Sequence, residues 1–164
     1  MPARRRENVN MGRMEPGPAR ATPEVRRVLS LAGWPERRMP LVCAPAGVEE
    51  AERALEGLSA PAPVLAGLWL YCGRFGRSHA ISQELHTPEG SYWHAILHRQ
   101  EPDDWNSAYW FKRTGSHPVF EELAARAAAA GYAARGAWDP EAFIRFCAAA
   151  RRDGGDRERL AREV

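Results

Sequence analysis

Lysine is nearly absent from this 164-residue chain: of 23 basic residues only Lys112 is not arginine. Cysteine is scarce as well. Cys43, Cys72 and Cys147 are odd in number, widely spaced and set among apolar neighbours. That pattern argues against a disulfide framework, and no CxxC or Cys/His spacing marks a structural zinc site. Free buried thiols in a reducing cytoplasm are the expectation. Long apolar runs are missing too. The longest, Val64 to Cys72, falls well short of the roughly 20 residues that a bilayer span requires, so no membrane partner is expected. A strong charge of either sign is also lacking: the formal net charge is +2. Much of the basic bias sits in Arg4, Arg5, Arg6 and Arg13, so no nucleic-acid partner is expected. No segment alternates polar and apolar residues as a strand would. Ser-His-Asp order, a glycine-rich phosphate loop and a dinucleotide fingerprint are absent, and GRFGR at 73–77 lacks a third glycine and a preceding strand.

What is present reads as helix. Residues 1–21 are rich in Arg, Asn, Gly and Pro and are expected to be a disordered leader, with 22–164 a single all-helical domain. Thr22-Pro23-Glu24 opens the first helix with a capping hydroxyl, a proline at the first position and an early acid. Residues 34–47 hold three prolines and predict an irregular connector. Further helices are expected at Val48–Leu58, Val64–Arg74, Ser78–Leu85, Ser91–Arg99, Trp105–Arg113 and Val119–Ala130. Another opens at Asp139-Pro140-Glu141 and runs to about Arg152, and a last one starts at Asp156. Val64–Arg74 is apolar nearly all round and is expected to be the central buried helix. The fold class is all-α: a compact multi-helix domain of packed helical hairpins. Residues 66–80 and 95–110 echo each other as helix, break, helix, a repeat-like arrangement whose spacing departs from the 34 residues of a tetratricopeptide array.

All five histidines fall between His79 and His117, together with three of the six tryptophans. Imidazole is the side chain that serves as ligand, acid or base near neutral pH, so this segregation points to one local site within the block 78–120. Residues three, four and seven apart share a helix face. His79, Gln83 and His86 would line the first helix of the block, His94 and His98 the second, and Asn106, Tyr109 and Arg113 the third, with His117 in the turn beyond. His94 and His98 have the HxxxH spacing that places two imidazoles on one metal. Ala95 follows His94, so the built-in base of the HExxH proteases is missing. A metal would need a further ligand from His79, His86, His117, Glu101 or Asp103. The ordinary fate of such a pair is a surface couple or hydrogen-bonded core residues.

The stretch SHAISQ (Ser78 to Gln83) followed by SYWHAILHRQEPDDWNSAYWFKRTGSHPVF (Ser91 to Phe120) resembles a family of uncharacterised bacterial proteins with fungal relatives. The resemblance covers Gly67 to Leu123 and implies kinship without naming a chemistry. Lys112 stands where that pattern would have arginine.

From the residues, the expected site is a polar pocket in which His94 and His98 are the metal ligands or proton carriers. His79, Gln83, Arg99, Asn106, Tyr109, Arg113 and His117 would bind ligand, and Arg99 and Arg113 are the anion clamps. A divalent metal or a small anionic molecule is the expected occupant, with acid–base or hydrolytic chemistry. Two bland alternatives remain open. One is a helical-hairpin module that binds a protein partner through an exposed aromatic such as Trp110. The other is a hydrogen-bonded structural network, with the arginines paired to Glu101, Asp103, Glu121 or Glu122.

Overall fold

A computed structural model describes residues 21–132 and 136–164, so the expected leader lies outside the described residues except for Ala21. Nine helices and no strand occur among the described residues: α1 Pro23–Leu31, α2 Glu49–Glu56, α3 Ala62–Tyr71, α4 Phe75–Ser82, α5 Pro88–Gln100, α6 Asp104–Thr114, α7 Val119–Ala129, α8 Pro140–Asp153 and α9 Gly155–Glu163. The protein is all-α. None of these helices is long and apolar enough to cross a membrane.

The helix starts follow local chemistry. Thr22, Thr87, Asp103 and Asp139 each accept a backbone N–H from the first turn of the helix they precede. Proline stands at the start of α1, α5 and α8, where its missing N–H costs nothing. Several boundaries differ from the sequence expectation, α3 ending at Tyr71 rather than Arg74 and α4 starting at Phe75 rather than Ser78, and two of the differences bear on the histidine block. Thr87-Pro88 does not separate helices at Ser91; it is the cap and first residue of α5, so the helix begins three residues earlier. Conversely α4 ends at Ser82, which leaves Gln83 and His86 beyond its last turn.

Three apolar clusters hold the helices together. Val25 and Val28 of α1 and Leu55 of α2 pack on Leu68 and Trp69 of α3. Leu70 of α3, Ala95, Ile96 and Leu97 of α5, Phe111 of α6 and Ile144 of α8 form the second. Phe143, Cys147 and Ala150 of α8 with Ala161 near the chain end form the third. α3 is buried as expected, from Ala66 through Leu70. α3 packs on α2, α4 and α5, and α5 is as central, packing on α3, α4 and α6. Its buried positions include Ser91, His94, His98 and Gln100, polar residues that apolarity could not flag.

Small residues permit the close approaches. Gly67 of α3 faces Trp93 of α5, where an added Cβ would stand 2.5 Å from the indole ring. Ser78 and Ser82 of α4 are fully buried, and Ser107 of α6 donates its hydroxyl to Ala95 O at 2.8 Å. The helices of the consecutive pairs α3/α4 and α5/α6 pack on each other as those of α1/α2 and α8/α9 do, and the connector 34–47 is tied to α5 and to the end of α3. Cys43 N donates to Gln100 O at 2.9 Å, and Ala46 N donates to Cys72 O at 3.3 Å.

Candidate metal centre

His94 and His98 sit one turn apart on α5, on the stripe that α4 and α6 cover. His94 is 2 % exposed and His98 6 %. The α4 helix brings His79 against them. The ring centroids lie 4.7 Å apart for His79 and His94, 4.8 Å for His94 and His98, and 5.8 Å for His79 and His98. One ring nitrogen from each of the three falls within 4.8 Å of the others. Two helices thus deliver three imidazoles to one point, with His79 half-buried on the open side.

The partners of these rings matter as much as the rings. Ser82 Oγ lies 2.9 Å from His94 Nδ1 and 3.4 Å from the His79 carbonyl. A hydroxyl that donates to that carbonyl accepts from Nδ1–H, leaving the lone pair of His94 on Nε2. Glu101, just past the end of α5, places Oε2 2.9 Å from His98 Nδ1. The carboxylate accepts only, so it fixes His98 as the Nδ1–H tautomer with its own lone pair on Nε2. Asn106 Nδ2 donates toward that nitrogen at 3.2 Å. Metal-bound histidines carry such support, one nitrogen held by an acceptor while the other ligates; His94 Nε2 is open in this way, whereas His98 Nε2 must first exchange its Asn106 contact for an ion. Trp110 closes the back of the site, its ring centroid 4.2 Å from that of His94. No protein-family model, curated protein or solved structure matches this chain. The site is therefore read from its own geometry.

Burial holds the His94 imidazole down to about 4, with the neighbouring His98 and His79 acting in the same direction. The consequence for metal-free protein has a definite sign. An unfolded chain takes up a proton near pH 6.5, whereas folded His94 does so only near 4, so protons favour the unfolded state between those values. The contribution is intact above about pH 6.5 and is lost as the pH falls toward 4, by about 3 kcal/mol in all. Urea unfolding of parent and His94→Gln at pH 7 and pH 4.5 checks this. The parent should lose more stability than the variant, and equal losses would refute the depressed value.

The structure brings together His79, His94, His98 and Asn106 of the expected set. It does not bring in the rest. Gln83 is exposed beyond α4, and His86 is exposed in the turn that follows. His86 leaves the expected His79/Gln83/His86 face because the helix stops before it, while Gln83, the C-cap with its N–H on His79 O, keeps its helical position but is exposed. His117 belongs to another neighbourhood: its ring stacks on Tyr92 at 6.0 Å and its Nδ1 accepts from Val119 N at 3.2 Å. Tyr109 is exposed and stacked on Trp105 at 6.2 Å. Arg113 is exposed, with its guanidinium 5.3 Å from the Trp110 ring, so one aromatic ring separates it from His94. Arg99 leaves the cluster altogether and lies 4.9 Å from the Phe143 ring.

The carboxylate partners imagined for Arg99 and Arg113 do not appear among the ion pairs of the described residues; Glu122 pairs with Arg126 instead. The aromatic named as exposed also changes. Trp110 is half-buried against His94, whereas Trp105 is 79 % exposed. Ser82 was missed, although Ser78 and Ser82 at i and i+4 were a legible small-residue stripe. Glu101 and Asp103 form a second donor group with His98. Asp103 already caps α6 through Asn106 N, at 3.1 Å.

Proposed function

We propose that this chain binds a divalent transition metal through His79, His94 and His98, and that the open coordination positions serve hydrolytic or acid–base chemistry on a small anionic substrate. The observation that carries this reading is the convergence of three imidazole nitrogens within 4.8 Å, with His94 and His98 held from behind by Ser82 and Glu101. A tetrahedral ion with bonds of about 2.0–2.1 Å needs its nitrogens roughly 3.3 Å apart, so small rotations of the rings complete the site. A neutral His94 has no proton to shed. Three imidazoles suit zinc, iron or nickel, and three protein ligands leave room for water or substrate.

Elemental analysis of purified, tag-free protein tests the proposal, repeated on His94→Ala/His98→Ala. Near-stoichiometric metal in the parent, lost from a still-folded variant, is the expected result. A parent that stays metal-free after metal is added back would sink it. A second reading, a docking surface for a protein, is favoured by one observation: Trp105 stands 79 % exposed and stacks on Tyr109 with an interplanar angle of 11°. Under that reading Trp105→Ala abolishes partner capture while His94→Ala leaves it intact.

A further inference from the structure

A cavity among the described residues lies on the other side of α5 from the histidines. Its volume is roughly 660 Å³, and none of His79, His94 or His98 is among its lining residues. That size is within the range of small-molecule sites, about 300–1,000 Å³. The walls are apolar and aromatic, built mainly by Tyr92, Trp93, Phe111, Trp138 and Phe143. Into this surface the chain sets two buried polar atoms without partners and one half-buried guanidinium outside any ion pair of the described residues. Gln100, 2 % exposed, donates its Nε2 to Pro40 O at 3.0 Å, yet its Oε1 is buried without a partner. Trp138 Nε1 is likewise buried and unpartnered. Arg99 takes part in no ion pair among the described residues and lies against Phe143, the same ring that Trp138 packs on at 5.0 Å. Of the two unpartnered atoms, the Trp138 N–H is a buried donor that an anionic group can satisfy, whereas Gln100 Oε1 is an acceptor and offers an anion nothing.

We propose that this cavity binds an apolar organic carboxylate, with the anion held by Arg99 and Trp138 Nε1 and the apolar body packed on the aromatic wall. Charge selects the sign of the ligand. Five arginines line the cavity; Arg38 pairs with Glu163, the only acid among the lining residues, and Arg126 pairs with Glu122, which leaves Arg37, Arg99 and Arg162 outside the ion pairs of the described residues. The same charge disfavours the chain's own N-terminal segment as occupant, because residues 1–20 carry five arginines against two glutamates. A guanidinium that would otherwise sit unpaired against an aromatic ring gains a bidentate partner when a carboxylate enters. The inference stands independently of the metal reading, since it uses none of the same side chains.

Calorimetric titration with dodecanoate, and with dodecanamide as its uncharged counterpart, tests the idea on the intact protein. Dodecanoate should bind at a single saturable site, at least about tenfold more tightly than dodecanamide, the loss expected when one charge-assisted hydrogen bond goes. Arg99→Gln should erase that preference by weakening dodecanoate alone. Ala129→Trp, a change on the exposed rim of the cavity, should block both ligands. The proposal is overturned if the parent shows no saturable binding, or binds acid and amide alike. It is equally overturned if Arg99→Gln leaves the preference unchanged, or if Ala129→Trp leaves binding intact. The comparison of the two ligands needs no variant, so misfolding of Arg99→Gln cannot shelter it.

Discussion

Replacing His98 by alanine is expected to strip the metal from the protein, whereas Glu101→Gln should retain it at about 10–100-fold lower affinity. The difference follows from what each side chain does. His98 would offer a lone pair to the ion, and nothing else on α5 can take its place one turn from His94. Glu101 does not need to touch the ion; its Oε2, 2.9 Å from Nδ1, orients the ring and raises its basicity. A glutamine still accepts the hydrogen bond but without a charge. Competition against a chelating dye gives the two affinities, and thermal unfolding of the metal-free proteins shows whether either change acts through stability. Unchanged binding in His98→Ala would dismiss the three-histidine centre. An affinity for Glu101→Gln equal to the parent's would dismiss the supporting role. If the cluster is a structural network only, both variants melt lower and neither alters metal uptake.

Gly73→Ala is expected to destabilise the fold by at least about 3 kcal/mol, a large part of what a domain of this size possesses. Two independent effects combine at this position. Its φ of +73° is a conformation that alanine adopts only at a cost of about 1–2 kcal/mol. An added Cβ would also stand 1.9 Å from the Ala44 carbonyl oxygen and 2.8 Å from its carbon. Those atoms are backbone, so no rotamer change relieves the clash. The connector must lift away, weakening the Ala46 N–H donation to Cys72 O that fastens it across the α3/α4 turn. Gly76→Ala is the control, because Gly76 is helical with nothing within 4 Å of the new methyl. It should gain up to about 1 kcal/mol. Denaturant titration of both variants decides the matter, and coincident curves would mean that the connector does not pack on Gly73.

Much of the fold was legible because helix formation is set by near neighbours. Thr22, Asp139 and their following prolines announce helix starts without reference to anything distant, and each is found capping as expected. The Thr87-Pro88 pair carried the same signal but was read as a break, since proline also ends helices; only the Thr87 hydroxyl, accepting from Gly90 N at 3.2 Å, shows which role it plays. The pairing of His94 with His98 was likewise local, fixed by one turn of helix. Centrality was less legible. α3 advertises burial by being apolar throughout, whereas α5 is buried through polar residues whose partners come from α4, α6 and the connector.

The sequence by itself determined that this chain is helical, that Thr22 and Asp139 open helices, and that its imidazoles are concentrated in one block, because each of these depends on residues within a turn or two. Tertiary structure alone decided which residues share a site. Neighbours on a helix point about 100° apart, so His98 turns toward α4 and α6 while Arg99, the next residue, turns toward Phe143 and the aromatic cavity. Where α4 stops decided that His86 does not join His79 in the cluster. Those outcomes rest on how each helix is rotated against its neighbours, and that rotation is set by packing at Gly67, Ser82 and Ser107 rather than by the histidines themselves.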